Sequence, residues 1–171
     1  GMAVPNLAVG LIMVGIFSKS VTLPFHTWLP DAGVAPSPVT ALLHAAVLVK
    51  IGVFVFARLF VGGMVWEPVW DQVLPVVIGV SSIVAGGAAL FENDLKRIIA
   101  YSTVSQLAFI FLGLLMDSQL AVAGGLLYIL THGLAKGGLF LCAGIVEHEL
   151  GTKDIRQMGG LARNMPITAL A

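Results

Sequence analysis

Charge is scarce in this chain: Asp, Glu, Lys and Arg make up 11% of it, nine cations against nine anions. A soluble domain carries about 25% charged residues. A nucleic-acid-binding protein shows a basic patch or stripe. Neither class fits, because the nine Lys/Arg are few and scattered. Cysteine is almost missing as well. The single Cys142, inside an apolar run, rules out an internal disulfide and offers no metal cluster. There is no Gly-rich phosphate loop, nucleophile triad or metal-ligand spacing, so no bond chemistry, cofactor or metal is expected of the chain. The N-terminus also lacks the basic n-region of a signal peptide. Apolar residues, in contrast, make up 58% of the chain, and the mean hydropathy is +0.99. That balance belongs to a membrane protein surrounded by lipid. The expected location is a bacterial or archaeal cytoplasmic membrane, with an organellar inner membrane as the alternative.

The apolar runs divide into five crossings and predict an all-α polytopic bundle. Pro5 to Phe17 is apolar and fails as a helix at Pro24, which removes an amide donor. A second half from Phe25 to Ala32 completes a broken first crossing. Ser37 and Pro38 read as a helix start for a segment from Val39 to about Phe60. Gln72 to Leu90 and Ile98 to Met116 are each free of charge and read as plain spanning helices. Asn93 or Asp94 caps the second of these. Asp117 and Ser118 form a tight turn, and a long helix runs from Gln119 to about Val146. The segment GTKDIRQMGGLARN is a polar connection. Both ends read as cut, so residues 1–171 are expected to be a single transmembrane proton-translocation domain within a longer chain.

Lys96, Arg97, Lys153, Arg156 and Arg163 all fall in loops on one side. The other side carries Arg58 with Glu67, Asp71 and Asp117. By the positive-inside rule the first side is cytoplasmic, or the matrix side in an organelle.

The stretch from Ile16 to Phe60 organises the rest. It places Lys19, His26, Asp31, His44 and Lys50 among apolar residues and breaks the pattern with Pro24, Pro30, Pro36 and Pro38. An ammonium at the bilayer centre costs about 2.5–3.5 kcal/mol on insertion scales, so an ionisable group there reads as functional. Non-helical backbone at that depth needs protein or a wet cavity around it. Lys19 beside a break, with Ser20, Thr22 and Pro24, outlines an ion path. Ser20 and Thr22 are read as simple backbone bonders. His132 and Lys136 are four apart, hence on one face of the last helix. Two protonatable groups in line can hand a proton on; the other reading is a structural pair between helices. His44 and Lys50, six apart, are predicted about 9 Å apart along the axis on different faces. His44 alone reads equally well as a hydrogen-bonded histidine near a helix start. His26 and Asp31 are read as packing or capping groups. Arg58, Lys96 and Arg97 are read as interfacial anchors, and Trp28, Trp66 and Trp70 as belt residues. Gly133 and Gly137 form a GxxxG that predicts close helix packing.

KSVTLPFHTWLPDAGVAPSPVTALLHAAVLVKIGVFVFARL, ENDLKRIIAYSTVSQLAFIFLGL and THGLAKGGLFL together resemble the antiporter-like subunits of respiratory complex I. That family includes the large Mrp antiporter subunits and the membrane arm of energy-converting hydrogenases. The resemblance implies the middle of a fourteen-helix-type subunit with two inverted five-helix repeats. It assigns Lys19 the central lysine of the broken helix, whose glutamate partner would precede Gly1. It assigns His44, Lys50, His132 and Lys136 to the relay, and a terminal Lys or Glu would follow Ala171. Its implied partners are protons, with Na⁺ as the alternative ion, and other membrane subunits of a redox complex such as NADH-quinone oxidoreductase. Departures are AKGG after the relay lysine and the loop EHELGTKDIRQMGGL, which is closer to Mrp or hydrogenase-type members. Three functions follow as expectations. They are proton translocation coupled to a redox complex, a Na⁺/H⁺ antiporter or hydrogenase subunit, and a structural subunit without transport.

Overall fold

Four short helices, α1 (Asn6–Lys19), α2 (Trp28–Asp31), α3 (Ser37–Ala41) and α4 (Lys50–Phe56), precede three long ones. The long helices are apolar runs folded in one piece, α5 (Val69–Phe91), α6 (Leu95–Leu115) and α7 (Gln119–Leu150). The computed structural model describes residues 4–116 and 118–170, with only the backbone of Ala45 and Ala46. Asp117, half of the expected turn, lies outside the described residues, as do Gly1 and Ala171. With 23, 21 and 32 residues and high hydropathy, α5, α6 and α7 each suffice to span a bilayer, and the chain is an integral membrane protein. Among the described residues the regular structure is helical; the one β-type pairing is an isolated bridge between Asp94 and Asp154. The fold is an all-α membrane bundle.

The first crossing is broken, as the sequence predicts, but its second half is shorter than expected. After Lys19 the chain is non-helical over residues 20–27, and α2 supplies a single turn followed by a 3₁₀ turn, Ala32–Val34. Prolines at 24 and 30 leave too few donors between them for a longer ladder. Val21 takes φ +54°. For a β-branched residue that left-handed conformation is strained and survives only where its surroundings enforce it. Val21, Ser20 and Thr22 are all buried.

The second crossing departs further from expectation. In place of one helix from Val39 to Phe60 there are α3, a π-helical turn (Leu42–Ala46), a non-helical stretch over 47–49, α4, and a second π-helical turn (Ala57–Val61). No proline causes this. Where the helix restarts, the carbonyl of Val49, at the N-cap of α4, accepts a hydrogen bond from Ser20 Oγ, 3.0 Å away in the neighbouring crossing.

Side-chain pairing fixes the two ends of the bundle. At one end Asn6 Nδ2 donates to Glu67 Oε2 (2.7 Å), and Trp70 and Trp66 donate to Asn6 Oδ1 and Asp71 Oδ1. At the other, Asp94 Oδ1 caps α6 by accepting from the amides of Lys96 and Arg97. There the Leu95 amide donates to Lys153 O and that of Ile155 to Asn93 O. The groupings match the loop assignment made from charge. The central helix is α6, whose Phe111 is packed edge-on by Phe17 and Phe56 at 6.1 and 5.3 Å. Close helix approaches fall at Gly125 against Leu114 and at Gly144 against Ser37, whereas Gly133 of the GxxxG lines a cavity.

Candidate functional site

Three segments converge in the middle of the bundle: the break after α1, the interrupted second crossing, and the face of α7 that bears His132 and Lys136. Breaking a membrane helix frees backbone groups that must find partners, and here hydroxyls supply them. Ser20 Oγ donates to the Val49 carbonyl, and the Leu23 amide donates to Ser81 Oγ at 3.1 Å. Ser81 is fully buried on α5, which the sequence offered as a plain spanning helix. The fit at Ser20 is tight. A Cβ on Gly52 would overlap the Ser20 side chain and come within 2.6 Å of the Ile16 carbonyl, so only glycine allows α4 this close to α1. The reading of Ser20 as a backbone bonder holds, with its acceptor in the next crossing. Thr22 Oγ1 is buried without a hydrogen-bond partner among the described residues, and Pro24 is exposed within the break.

The interruption of the second crossing sets the position of its two titratable groups. His44 lies in the first π-helical turn and Lys50 opens α4, so the predicted 9 Å helical separation between them does not apply. The His44 ring is fully buried against Phe140 of α7, with centroids 4.6 Å apart. Lys50, also buried, lines a cavity of about 410 Å³ with Ile129, Leu130, Gly133 and Leu134 of α7. A second cavity of about 810 Å³ shares Leu126 with the first and extends to Asp71, Ser118 and Gln119 at the end of the bundle marked by Trp66.

On α7, His132 and Lys136 are both buried on one face, as predicted. Lys136 Nζ donates to Ser102 Oγ of α6. The ring of Tyr128 lies 6.0 Å from that of His132, and the Tyr128 hydroxyl donates to Gln106 Oε1 on α6. Neither ring nitrogen of His44 or of His132 has a hydrogen-bond partner among the described residues. An unpaired buried polar group costs about 1–3 kcal/mol, and the large majority of such groups in folded proteins are paired. Four unpaired ring nitrogens beside two buried amines therefore call for a partner.

His44, Lys50, His132 and Lys136 thus gather in the interior. Lys19 does not: it ends α1 with its side chain exposed on this chain. His26, near Tyr101 of α6 with a ring-centroid distance of 6.4 Å, lies apart from the group. The sequence reading missed Ser102, Ser81 and Phe140. Lys96 also needs correction. Instead of anchoring at the interface it is buried, and its Nζ is 2.6 Å from Glu147 Oε2 of α7.

Comparison with known proteins gives a consistent picture. The chain is 43% identical over 160 residues to a Rhizobium meliloti protein named as a probable K(+)/H(+) antiporter component, covering 93% of this chain and 16% of that one. It is 39% identical over 170 residues to NADH-quinone oxidoreductase subunit L of Rickettsia bellii, covering 98% and 25%. The fold matches a chain in the structure of the Mrp complex from Dietzia sp. DQ12-45-1b with a TM-score of 0.84 and 36% identity, over 94% of this chain and 18% of that one. The chain therefore spans a quarter or less of the length of each of these relatives. The family model described as NADH:quinone oxidoreductase/Mrp antiporter, TM, matches residues 3–171, and the chain belongs to that family.

Proposed function

We propose that residues 1–171 form a transmembrane proton-translocation unit of a longer antiporter-like subunit, in which Lys19, His44, Lys50, His132 and Lys136 relay protons. The observation that carries this reading is the pair of buried imidazoles, His44 and His132, whose nitrogens lack partners among the described residues and which lie near buried lysines. A lysine ammonium gives its proton, through water, to a neutral imidazole and is left as an amine. The imidazolium passes its other proton on, and the ring returns to neutral. A charge change near Lys19, at a carboxylate in a neighbouring helix of the full subunit, starts the sequence. Creating or removing one charge 4 Å away is worth about 4 kcal/mol at an effective dielectric constant of 20, enough to switch a lysine between holding and releasing its proton. Ser20, next to Lys19, is bonded to Val49, next to Lys50, so a shift at the break is felt at the relay.

The driving partner is a set of other membrane subunits in a redox complex such as NADH-quinone oxidoreductase. The membrane is a bacterial or archaeal cytoplasmic one, with the Lys96, Arg97 and Lys153 end inside. The test is proton transport by the assembled complex with full-length Lys136→Ala. The expected loss is about 10²-fold or more, the scale of a proton-transfer group. Full transport with assembly intact would reduce the chain to a structural subunit.

A second reading, a Na⁺/H⁺ antiporter subunit, draws on Thr22 Oγ1, buried without a partner among the described residues beside the strained Val21, where hydroxyl and carbonyl oxygens could take a cation. Proton transport that requires sodium would favour it. Transport indifferent to sodium would exclude it.

A further inference from the structure

The relay is flanked by depressions towards one end of the bundle and by a buried apolar cluster towards the other. Towards the Asp71 end two depressions share the lining residue Leu126, and the inner one reaches Lys50. The opposite end has its own cavity, about 360 Å³, lined by Asp31, Asp94, Lys96, Arg97 and Lys153 among others. Lys96 on its wall pairs with Glu147. Glu147 follows His132, Lys136, Phe140 and Ala143 at spacings of four, four, three and four residues, so all five share one face of α7. Lys136 and Glu147 are therefore about 16 Å apart along the axis.

A separate buried apolar cluster fills the interval. Ala41, Ile99, Ala100, Phe140 and Ala143 are between 0 and 8% exposed. Three of the five are alanines, Phe140 is the largest of the five, and its ring lies against the imidazole of His44. An apolar constriction only a few side chains thick gates by excluding water. We infer that Phe140 is the gate between the proton relay and a charged vestibule built by Lys96 and Glu147 at the loop end of the bundle. Rotation of its ring away from His44 would let water join His44 to Glu147, and the ring in place would leave the relay facing the Asp71 end alone. The groups facing this passage are His44 from the second crossing, Lys96 from α6, Lys136 and Glu147 from α7, and Asp31, Asp94, Arg97 and Lys153 around the vestibule.

The gate rests on the relay reading, and the test separates the two. The complex with full-length protein is reconstituted in vesicles, and passive proton leak is measured under an imposed pH gradient without any driving reaction. Phe140→Ala is expected to raise the leak about tenfold, as removal of an apolar constriction should. Phe140→Leu, which keeps apolar volume if Phe140→Ala fails to assemble, is expected to raise it less. Adding Lys136→Ala to either should return the leak to the parent level. Leaks equal to the parent in both single variants would overturn the gate. A raised leak that survives Lys136→Ala would overturn its position on the relay. If Lys136→Ala alone leaves driven transport intact, the relay reading itself fails.

Discussion

Lys136 donates to Ser102 across the gap between α7 and α6, and that contact sets where its ammonium rests. A hydrogen bond to a charged group contributes about 1.5–3 kcal/mol. Ser102→Ala is expected to cost towards the lower part of that range in thermal stability and to slow proton transport several-fold, whereas Ser102→Thr should keep both. An unchanged rate in Ser102→Ala would mean that Lys136 does not work from the position seen. At this scale the sequence disclosed His44, Lys50, His132 and Lys136 because an ionisable group in an apolar run stands out whatever surrounds it. Ser81, Ser102 and Phe140 stayed hidden, since a hydroxyl or an aromatic ring is ordinary in a spanning helix. Their importance depends on which neighbour they face, and that is decided by the packing of other helices. The burial of Lys96 was missed for the same reason, because its partner Glu147 is 51 positions away.

At the scale of elements, Pro24 and the surrounding hydroxyls announced the break in the first crossing. The interruptions of the second crossing carry no such mark: Leu42–Ala46 and the residues after it have ordinary helix-forming composition, and the hydrogen bond at their far end, from Ser20 Oγ to the Val49 carbonyl, comes from the first crossing. Two substitutions test that link. Gly52→Ala should push α4 off α1 and destabilise the protein by about 1–3 kcal/mol, the usual cost of overpacking, read as a lower unfolding midpoint. Ser20→Ala removes the hydrogen bond to the Val49 carbonyl and should slow transport while the protein still assembles. Unaltered transport would show that the two crossings move independently.

The connection after α7 offers a pH test outside the membrane. The Arg156 side chain, and then its amide, donate to Asp154 and hold its carboxyl below the usual carboxylate range. A depressed pKa contributes stability that is present above the ordinary value of about 3.9 and is lost as pH falls through the folded value. Arg156→Ala should therefore move the acid loosening of this turn to higher pH. Hydrogen exchange at the Ile155 amide, which donates to Asn93 O, reads it directly.

For the whole molecule, charge alone grouped the loops correctly at two ends, because the number and order of crossings follow from long apolar runs that the bilayer requires. What charge could not reveal is that one end is tied by a largely buried ion pair. Lys96 has 4% and Glu147 30% of its side chain exposed. Breaking a fully buried pair costs about 3–5 kcal/mol, and the exposure of Glu147 lowers that figure here. Lys96→Met alone should destabilise the bundle, and the added change Glu147→Leu should recover much of the loss. Equal instability of single and double variants would show that Lys96 matters through something other than Glu147.

In the proposed relay the buried amines act in series on one proton path. Groups that act as a unit are non-additive when removed. The decisive measurement is the driven proton flux of the assembled complex carrying full-length Lys50→Ala, Lys136→Ala and both together. A serial relay predicts that each single variant falls to the same floor and that the double variant goes no lower. Partial losses in the single variants that multiply in the double variant would contradict it.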